Sequence, residues 1–459
     1  MRITSNPARL VLVAFASLIA IGTGLLALPV SADGPSGVGV ENAAFLSTSA
    51  TTVTGLSTVD IDDFSLFGEL VLLVLIQVGG FGIMTIGSVL ALVTFRRVGL
   101  RQRMLAQAEI GAIDIGDLSQ LLGVIARITL LVEGSLGALL FVRFWQGGYE
   151  SGPVEAAYSA VFHSVASFNN AGISLYSDNL ARFSGDPLVS LPVTFGFVIG
   201  GLGFPLYVEA LRRWRSDRTS ARSASGARRR GSRALSWSLH ARLTVGATLV
   251  LLVVGPAMVL AFEWRNPGTL GPLGIGDKLV NGWFHGVTPR TAGFNTIDVG
   301  AMQESTLFGT SILMFIGSGP ASTSGGIKVT TAAILAAAMW AEVRGERDVN
   351  VLSRRIPPAI IRQALTIVVL SIAFVTATSL FLMTSDGLGL TEALFESTSA
   401  FGTVGLSTGV TGSISTPGHV VLVVVMLCGR VGPITFVTAM ALRERDRLYR
   451  LAEETPIIG

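Results

Sequence analysis

"FGTVGLST", residues 401–408, sets a glycine among small and hydroxylated residues in an otherwise apolar chain. The same arrangement returns in "TTVTGLST" (51–58), "NNAGISL" (169–175) and "RTAGFNT" (290–296). Aligning Gly55, Gly172, Gly293 and Gly405 places an aromatic residue ten positions upstream each time: Phe45, Phe162, Trp283 and Phe395. The glycines are 117, 121 and 112 residues apart, which is an internal four-fold repeat. Each glycine closes a moderately apolar stretch of roughly ten to fifteen residues, too short to span a bilayer. The unit therefore reads as helix, re-entrant hairpin, helix.

Composition agrees with a membrane setting. Half of the 459 residues are hydrophobic, 14% are charged, and the mean hydropathy is +0.63. Apolar runs near the ~20 residues needed to cross a bilayer lie at 10–30, 70–95, 121–144, 188–211, 243–262, 365–383 and 420–442. An eighth, 307–341, is interrupted in its middle. The first run could also be a secretory signal, since "PVSADG" follows it, but it is long for one. Cys428 is the single cysteine and lies inside an apolar run, so neither an intramolecular disulfide nor a thiol metal site is available.

Arginines cluster at alternate breaks between runs: Arg96, Arg97, Arg101 and Arg103, then residues 212–242, then Arg344, Arg347, Arg354 and Arg355, then residues 443–450. By the positive-inside rule these breaks are cytoplasmic, and both termini fall on that side. The basic segment 212–233 reads as a loop near anionic lipid, without a nucleic-acid partner. The opposite breaks carry acids, among them Asp60, Asp62, Asp63, Glu150, Asp178, Asp186, Asp298 and Asp386, and hold the four glycine returns.

Irregular backbone at membrane depth is tolerated only where it lines a water-filled cavity or is buried in protein. Four such loops around one axis make a pore. Glycine adopts left-handed angles at little cost, so neighbouring carbonyls can face the axis and replace the water shell of a cation. The expected ring is Val53, Thr54 and Gly55; Asn170, Ala171 and Gly172; Thr291, Ala292 and Gly293; and Thr403, Val404 and Gly405.

These motifs, with "IQVGGFGIMTIG" (76–87), "GSGPASTSGGIK" (317–328) and "GRVGPITF" (429–436), resemble the Trk/Ktr/HKT superfamily of potassium transporters over essentially the whole chain. The bacterial Ktr branch, with its KtrB-type membrane subunits, is the most similar part of it. The chain starts directly at its first spanning helix, and "EETPIIG" is similar to tails that pack at a dimer interface in that branch. The resemblance implies an all-α membrane fold of four M1-P-M2 repeats about one pore, here 1–110, 111–236, 237–350 and 351–459. It also implies potassium as cargo, because all four loops carry glycine where sodium-favouring relatives tend to have serine in the first. Sodium stays open as a second monovalent cation, and no organic cofactor is implied. The implied partners are a second copy of the chain and a cytosolic ring of nucleotide-binding RCK-type subunits.

The interruption of the eighth run, "MFIGSGPASTSGGIKVTT", cannot continue as smooth helix. A phosphate-binding loop would need Gly-Lys-Ser/Thr, whereas Ile327 follows Gly326. In the superfamily the matching segment is an intramembrane gate. By resemblance the gate comprises Gly317, Ser318, Gly319, Pro320, Ala321, Ser322, Thr323, Ser324, Gly325 and Gly326, with Arg430 beside it. Lys328 either joins the gate or snorkels to the cytoplasm. Arg290 is expected to brace the filter through an acid such as Glu396.

Enzymatic chemistry finds no footing: the four histidines are scattered, and no paired carboxylates or nucleophile-base arrangement can be built. Glu133, inside an apolar run, is either a proton-relay acid or a buried acid bonded to a neighbouring helix. A secondary transporter coupling a solute or potassium to sodium or protons is the alternative function. Such transporters usually show inverted repeats and paired broken helices, whereas here all four units begin on one side and one helix reads as broken.

Overall fold

Lipid offers backbone groups no hydrogen-bond partner, so apolar spans must satisfy their own as helix. The computed structural model describes residues 7–34, 37–97, 118–222, 237–433 and 435, with backbone alone at 7–8, 83–97, 118–122 and 215–222. Its helices are α1 (Pro7–Leu26), α2 (Val40–Thr52), α3 (Leu66–Arg97), α4 (Leu118–Gln146), α5 (Pro153–Asn169), α6 (Pro187–Leu202), α7 (Phe204–Arg222) and α8 (Leu239–Glu263). They continue as α9 (Ile275–Val287), α10 (Glu304–Phe315), α11 (Val329–Val343), α12 (Pro358–Ser385), α13 (Leu390–Gly402) and α14 (Thr416–Val431). Among the described residues the only sheet is the hairpin of β1 (Asn350–Val351) and β2 (Arg354–Arg355). The protein is an all-α, multi-pass membrane protein.

A long helix, a short helix and a third helix follow one another four times, the third helix having 32, 16, 12 and 16 described residues in turn. The first helix of each unit, α1, α4, α8 or α12, contains an apolar stretch long enough to cross a membrane. The short helices α2, α5, α9 and α13 pack on the first helix of their own unit. The last helix of each unit also meets the short helix of the next: α3 against α5, α6 against α9, α10 against α13, and α14 against α2. That final pairing closes the chain into a ring. His419 Nδ1 of α14 and Glu41 Oε1 of α2 reinforce the closure with a hydrogen bond of 2.9 Å.

Phe45, Phe162 and Phe395 are fully buried and root their short helices in the surrounding core. The third unit departs from the aligned pattern. Trp283 is only partly buried, and Phe284, one residue on, is fully buried against Phe197. The local difference is that α9 ends at Val287, six residues before Gly293 rather than three, and a hydrogen-bonded turn, with Ala292 N–H donating to Thr288 O, takes the place of the last helical residues.

The eighth run is broken as expected, between α10 and α11. The run at 188–211 is broken too, contrary to its reading as one span: α6 and α7 meet at 91°. The break falls at Gly203, φ 89°, one residue before Phe204 and Pro205. A residue preceding proline is biased away from helix, and the freed Phe204 N–H donates to Ala321 O. Counting broken helices therefore no longer separates the channel reading from the coupled-transporter reading. In the last run α14 stops before Gly432, φ 92°. Residues 1–6, the loops holding Arg101 and Arg103 and residues 223–236, the arginines of 443–450, and the "EETPIIG" tail lie outside the described residues.

Candidate functional site: four glycine turns and the segment packed against them

The short helices end by inverting their backbone. Val53, Asn170 and Thr403 are left-handed (φ 55°, 61° and 49°), and each helix closes with the paired hydrogen bonds of a Schellman cap. Val53 N–H donates to Ala50 O and Thr54 N–H to Ser49 O; Asn170 with Ala171 and Thr403 with Val404 repeat the pattern. Thr291 is also left-handed, φ 72°, within the turn that follows α9. Two residues later each chain turns left-handed again, at Gly55, Gly172, Gly293 and Gly405 (φ 100°, 65°, 73° and 92°).

These turns converge. A Cβ built on Gly55 would stand 3.2 Å from the Cα atoms of both Gly172 and Gly405. One on Gly172 would lie 2.7 Å from Gly293 Cα, and one on Gly293 would lie 3.3 Å from Gly405 Cα. The residue before each glycine turns its carbonyl onto the neighbouring turn in one cyclic sense. Ala171 O lies against Gly55, Ala292 O against Gly172, Val404 O against Gly293 and Thr54 O against Gly405. All twelve residues expected in the ring thus sit in these four turns, around a common centre, and all are buried except Gly55 and Gly405, which are partly exposed. Only glycine combines the positive φ with room for the adjacent turn.

The segment between α10 and α11 packs directly onto this ring. Its ends are joined by a bridge between Ile316 and Ile327, and Val329 N–H donates to Ser318 O at 3.1 Å. Ser318 Oγ donates to Arg290 O, Thr323 Oγ1 donates to Asn170 Oδ1 at 2.8 Å, and Gly325 N–H donates to Thr403 Oγ1 at 3.0 Å. Three of the four turns are therefore held by the segment itself. Gly319 N–H donates to Gly201 O, and Gly326 N–H to Gly429 O, tying it to α6 and α14. Pro320, Ala321 and Ser322 lie at its bend, with Ala321 left-handed and Pro320 O against Gly203. Lys328 Nζ donates to Ser324 O (2.6 Å) and Gly325 O (3.3 Å), so it turns into the segment rather than snorkelling. Arg430, 4% exposed, donates from Nη1 to Thr323 O and from Nη2 to Gly79 O at 2.9 Å.

With this geometry in place, the wider comparison is decisive: the TrkH family of cation transport proteins matches residues 6–451. The chain belongs to this family. It is 37% identical over 446 residues to the Ktr system potassium uptake protein B of Bacillus subtilis, covering 96% of this chain and 95% of that one. Its identity to the Ktr system potassium uptake protein B of Vibrio alginolyticus is 35% over 454 residues, covering 98% and 94%. Its fold is similar to the crystal structure of the potassium transporter TrkH from Vibrio parahaemolyticus, with a TM-score of 0.69 at 18% identity, covering 94% of this chain and 84% of that one. TrkH membership makes the protein a transporter and not an enzyme.

Arg290 does not pair with Glu396 in this TrkH-family fold. Its guanidinium reaches Thr248 Oγ1 at 3.3 Å, and it has no acid partner among the described residues. Glu396 instead accepts from Ser407 Oγ and from Thr411 Oγ1 at 3.1 Å, bracing the descending limb of its own turn. Two histidines dismissed as scattered do the same work. His163 Nε2 meets Ser174 Oγ at 3.0 Å, and His285 Nε2 accepts from the N–H groups of Thr296 and Ile297.

Close-contact glycines were also missed. Gly79, Gly200 and Gly429, on the last helices of units one, two and four, sit against the carbonyls of Thr51, Phe168 and Phe401. Each of those carbonyls belongs to the residue four before a ring glycine. The motifs "VGGFG" and "CGRVG" held the signal, but only the cyclic helix order reveals what they touch.

Proposed function

We propose that the chain is the ion-translocating subunit of a potassium uptake system. Potassium would pass inward through the ring formed by Val53 to Gly55, Asn170 to Gly172, Thr291 to Gly293 and Thr403 to Gly405. The observation that carries this reading is the cyclic approach of four glycines and the four carbonyls before them. A file of main-chain oxygens can replace the hydration of a monovalent cation, and the membrane potential supplies ~2.3 kcal/mol per charge per 100 mV. The names of the Bacillus and Vibrio relatives support potassium as cargo.

Residues 317–326 act as the gate in this proposal. The segment bonds to three of the four turns, and Arg430 and Lys328, without acid partners among the described residues, bring positive charge to its carbonyls. A buried cation at that point raises the barrier to another cation. The repeats 1–110, 111–236, 237–350 and 351–459 would serve as quarters of one pore. The protein would work in the inner (plasma) membrane with both termini cytoplasmic, as a homodimer carrying an RCK-type nucleotide-binding ring, with sodium as an accessory cation at most.

The test is growth of a potassium-uptake-deficient bacterium at low potassium, comparing the intact chain with Gly405→Ser. The substitution should abolish or severely reduce rescue; equal rescue by both would remove the pore assignment. Coupled transport is the second reading, favoured by the additional break at Gly203. It requires potassium accumulation beyond the limit set by the membrane potential, measured in vesicles with imposed sodium or proton gradients.

A further inference from the structure

Glu133 takes no part in the ring or in the gating segment's own contacts, yet it lies buried in α4, 7% exposed, with no cation paired to it among the described residues. Burying an acid without a counter-charge is costly, and an apolar residue of similar volume would usually serve stability better. What the acid offers is acceptance. Its Oε1 accepts from Asn169 Nδ2 at 3.2 Å and its Oε2 from Gln77 Nε2 at 3.4 Å, while Asn169 Nδ2 also donates to Gln77 Oε1 at 2.7 Å. The three side chains come from α3, α4 and α5, so the cluster joins the first unit to the second.

Asn169 is the last residue of α5, and the next residue is the left-handed Asn170. On its other side Asn169 fills the space left by a missing Cβ at Gly80. Asn170 in turn accepts from Thr323 of the gating segment and donates from Nδ2 to Thr291 Oγ1 of the third turn at 3.4 Å. The corresponding helix ends at Thr52 and Gly402 need no such outside support: Thr52 Oγ1 bonds within its own helix and to Thr54, and Gly402 has no side chain.

We propose that Glu133, with Gln77, is a positioning residue for the second glycine turn. By fixing Asn169 it sets where Asn170 and Ala171 stand relative to the neighbouring turns, and so tunes discrimination between potassium and sodium. The inference rests on the ring being the ion filter.

The experiment measures potassium uptake against sodium competition in proteoliposomes of the full chain. Glu133→Gln keeps the shape but can turn an amide N–H₂ toward donors. It should lower the potassium-to-sodium ratio about three- to tenfold, the scale of one charge-assisted hydrogen bond shared over several contacts, with normal yield and elution. The exchange Gln77→Glu with Glu133→Gln returns an acid to the cluster and should restore most of the ratio. An unchanged ratio in Glu133→Gln, or no recovery in the exchange, overturns the proposal. If Glu133→Gln does not fold, Gln77→Met removes the same contacts from α3, and an unchanged ratio there overturns it equally. Gly405→Ser in parallel separates the two levels. Should it change the ratio while the Glu133 and Gln77 variants do not, only this inference falls; should it change nothing, the filter reading falls first.

Discussion

Gly172→Ala is the sharpest probe of the ring, because both of its costs can be read from the geometry. At φ 65° an L-residue pays about 1–2 kcal/mol for the left-handed conformation. The new Cβ would also lie 2.7 Å from Gly293 Cα and 2.9 Å from Ala292 O, both backbone atoms that no rotamer change can move away. Reaching ordinary contact at 3.4 Å requires the second and third turns to part by roughly 0.7 Å. That displacement acts on Ala171 O and Ala292 O, two of the four carbonyls that close the ring. A mismatch of only ~1.4 kcal/mol between ions is a factor of ten, so potassium-to-sodium discrimination should fall about tenfold or more and potassium uptake should drop with it. The assay is competitive uptake in proteoliposomes, with Gly134→Ala as control. Gly134 lies within α4 with open space around its Cα, so its replacement should be neutral or slightly stabilising. Wild-type uptake and discrimination in Gly172→Ala would refute the reasoning.

Two further substitutions test the neighbouring structure. Arg430→Gln removes a cation bonded to both Thr323 O and Gly79 O, each such bond contributing about 1.5–3 kcal/mol; resting potassium flux should rise about tenfold, and a flux equal to or below wild type counts against the gate. Glu263→Gln disturbs a buried carboxylate that accepts from Asn266 Nδ2, Thr269 Oγ1, Gln303 N–H and Thr306 Oγ1, joining the end of α8 to the start of α10. Thermal unfolding should come at a lower temperature with ion discrimination unchanged, and an altered ion ratio would move this residue from architecture into function.

Much of the fold was legible because its decisive signals are local. A glycine that follows an aromatic residue by ten positions, four times over, marks four hairpins from spacing alone, and hydropathy supplies the flanking helices. The interruption at 317–326 was visible in its four glycines and one proline. The break at Gly203 was not, because a hydropathy run is indifferent to backbone direction; "GLGFP" held the clue in a glycine two residues before a proline. The third unit misled because its short helix ends early and continues as a turn, and the buried aromatic is Phe284, nine residues before Gly293, and not Trp283. Partners far apart in sequence were the least legible. Arg290 meets Thr248 and not Glu396, and Glu396, His163 and His285 brace limbs of their own turns; nothing in spacing specifies contacts that depend on how four units close.

The four-fold pattern is approximate, and the inequalities between units are where a gate can arise. In a ring of identical subunits, a segment broken out of one helix and laid across the axis would occur four times and collide with its copies. A single chain can break one final helix differently from the rest, and here the third unit provides a segment that bonds to the second, third and fourth turns. The first turn is reached indirectly: Arg430 spans from Thr323 O to Gly79 O, and Gly79 rests on the carbonyl of Thr51 at the end of the first short helix. The second unit accommodates the segment with its own break, since Phe204 N–H, freed at Gly203, is satisfied by Ala321 O. A rearrangement of residues 317–326 must therefore break bonds to three turns and leave the α6–α7 corner unsatisfied at once. If the segment is the gate, as proposed, that linkage favours an all-or-none rearrangement over a graded one, which is the property a regulated ion path requires.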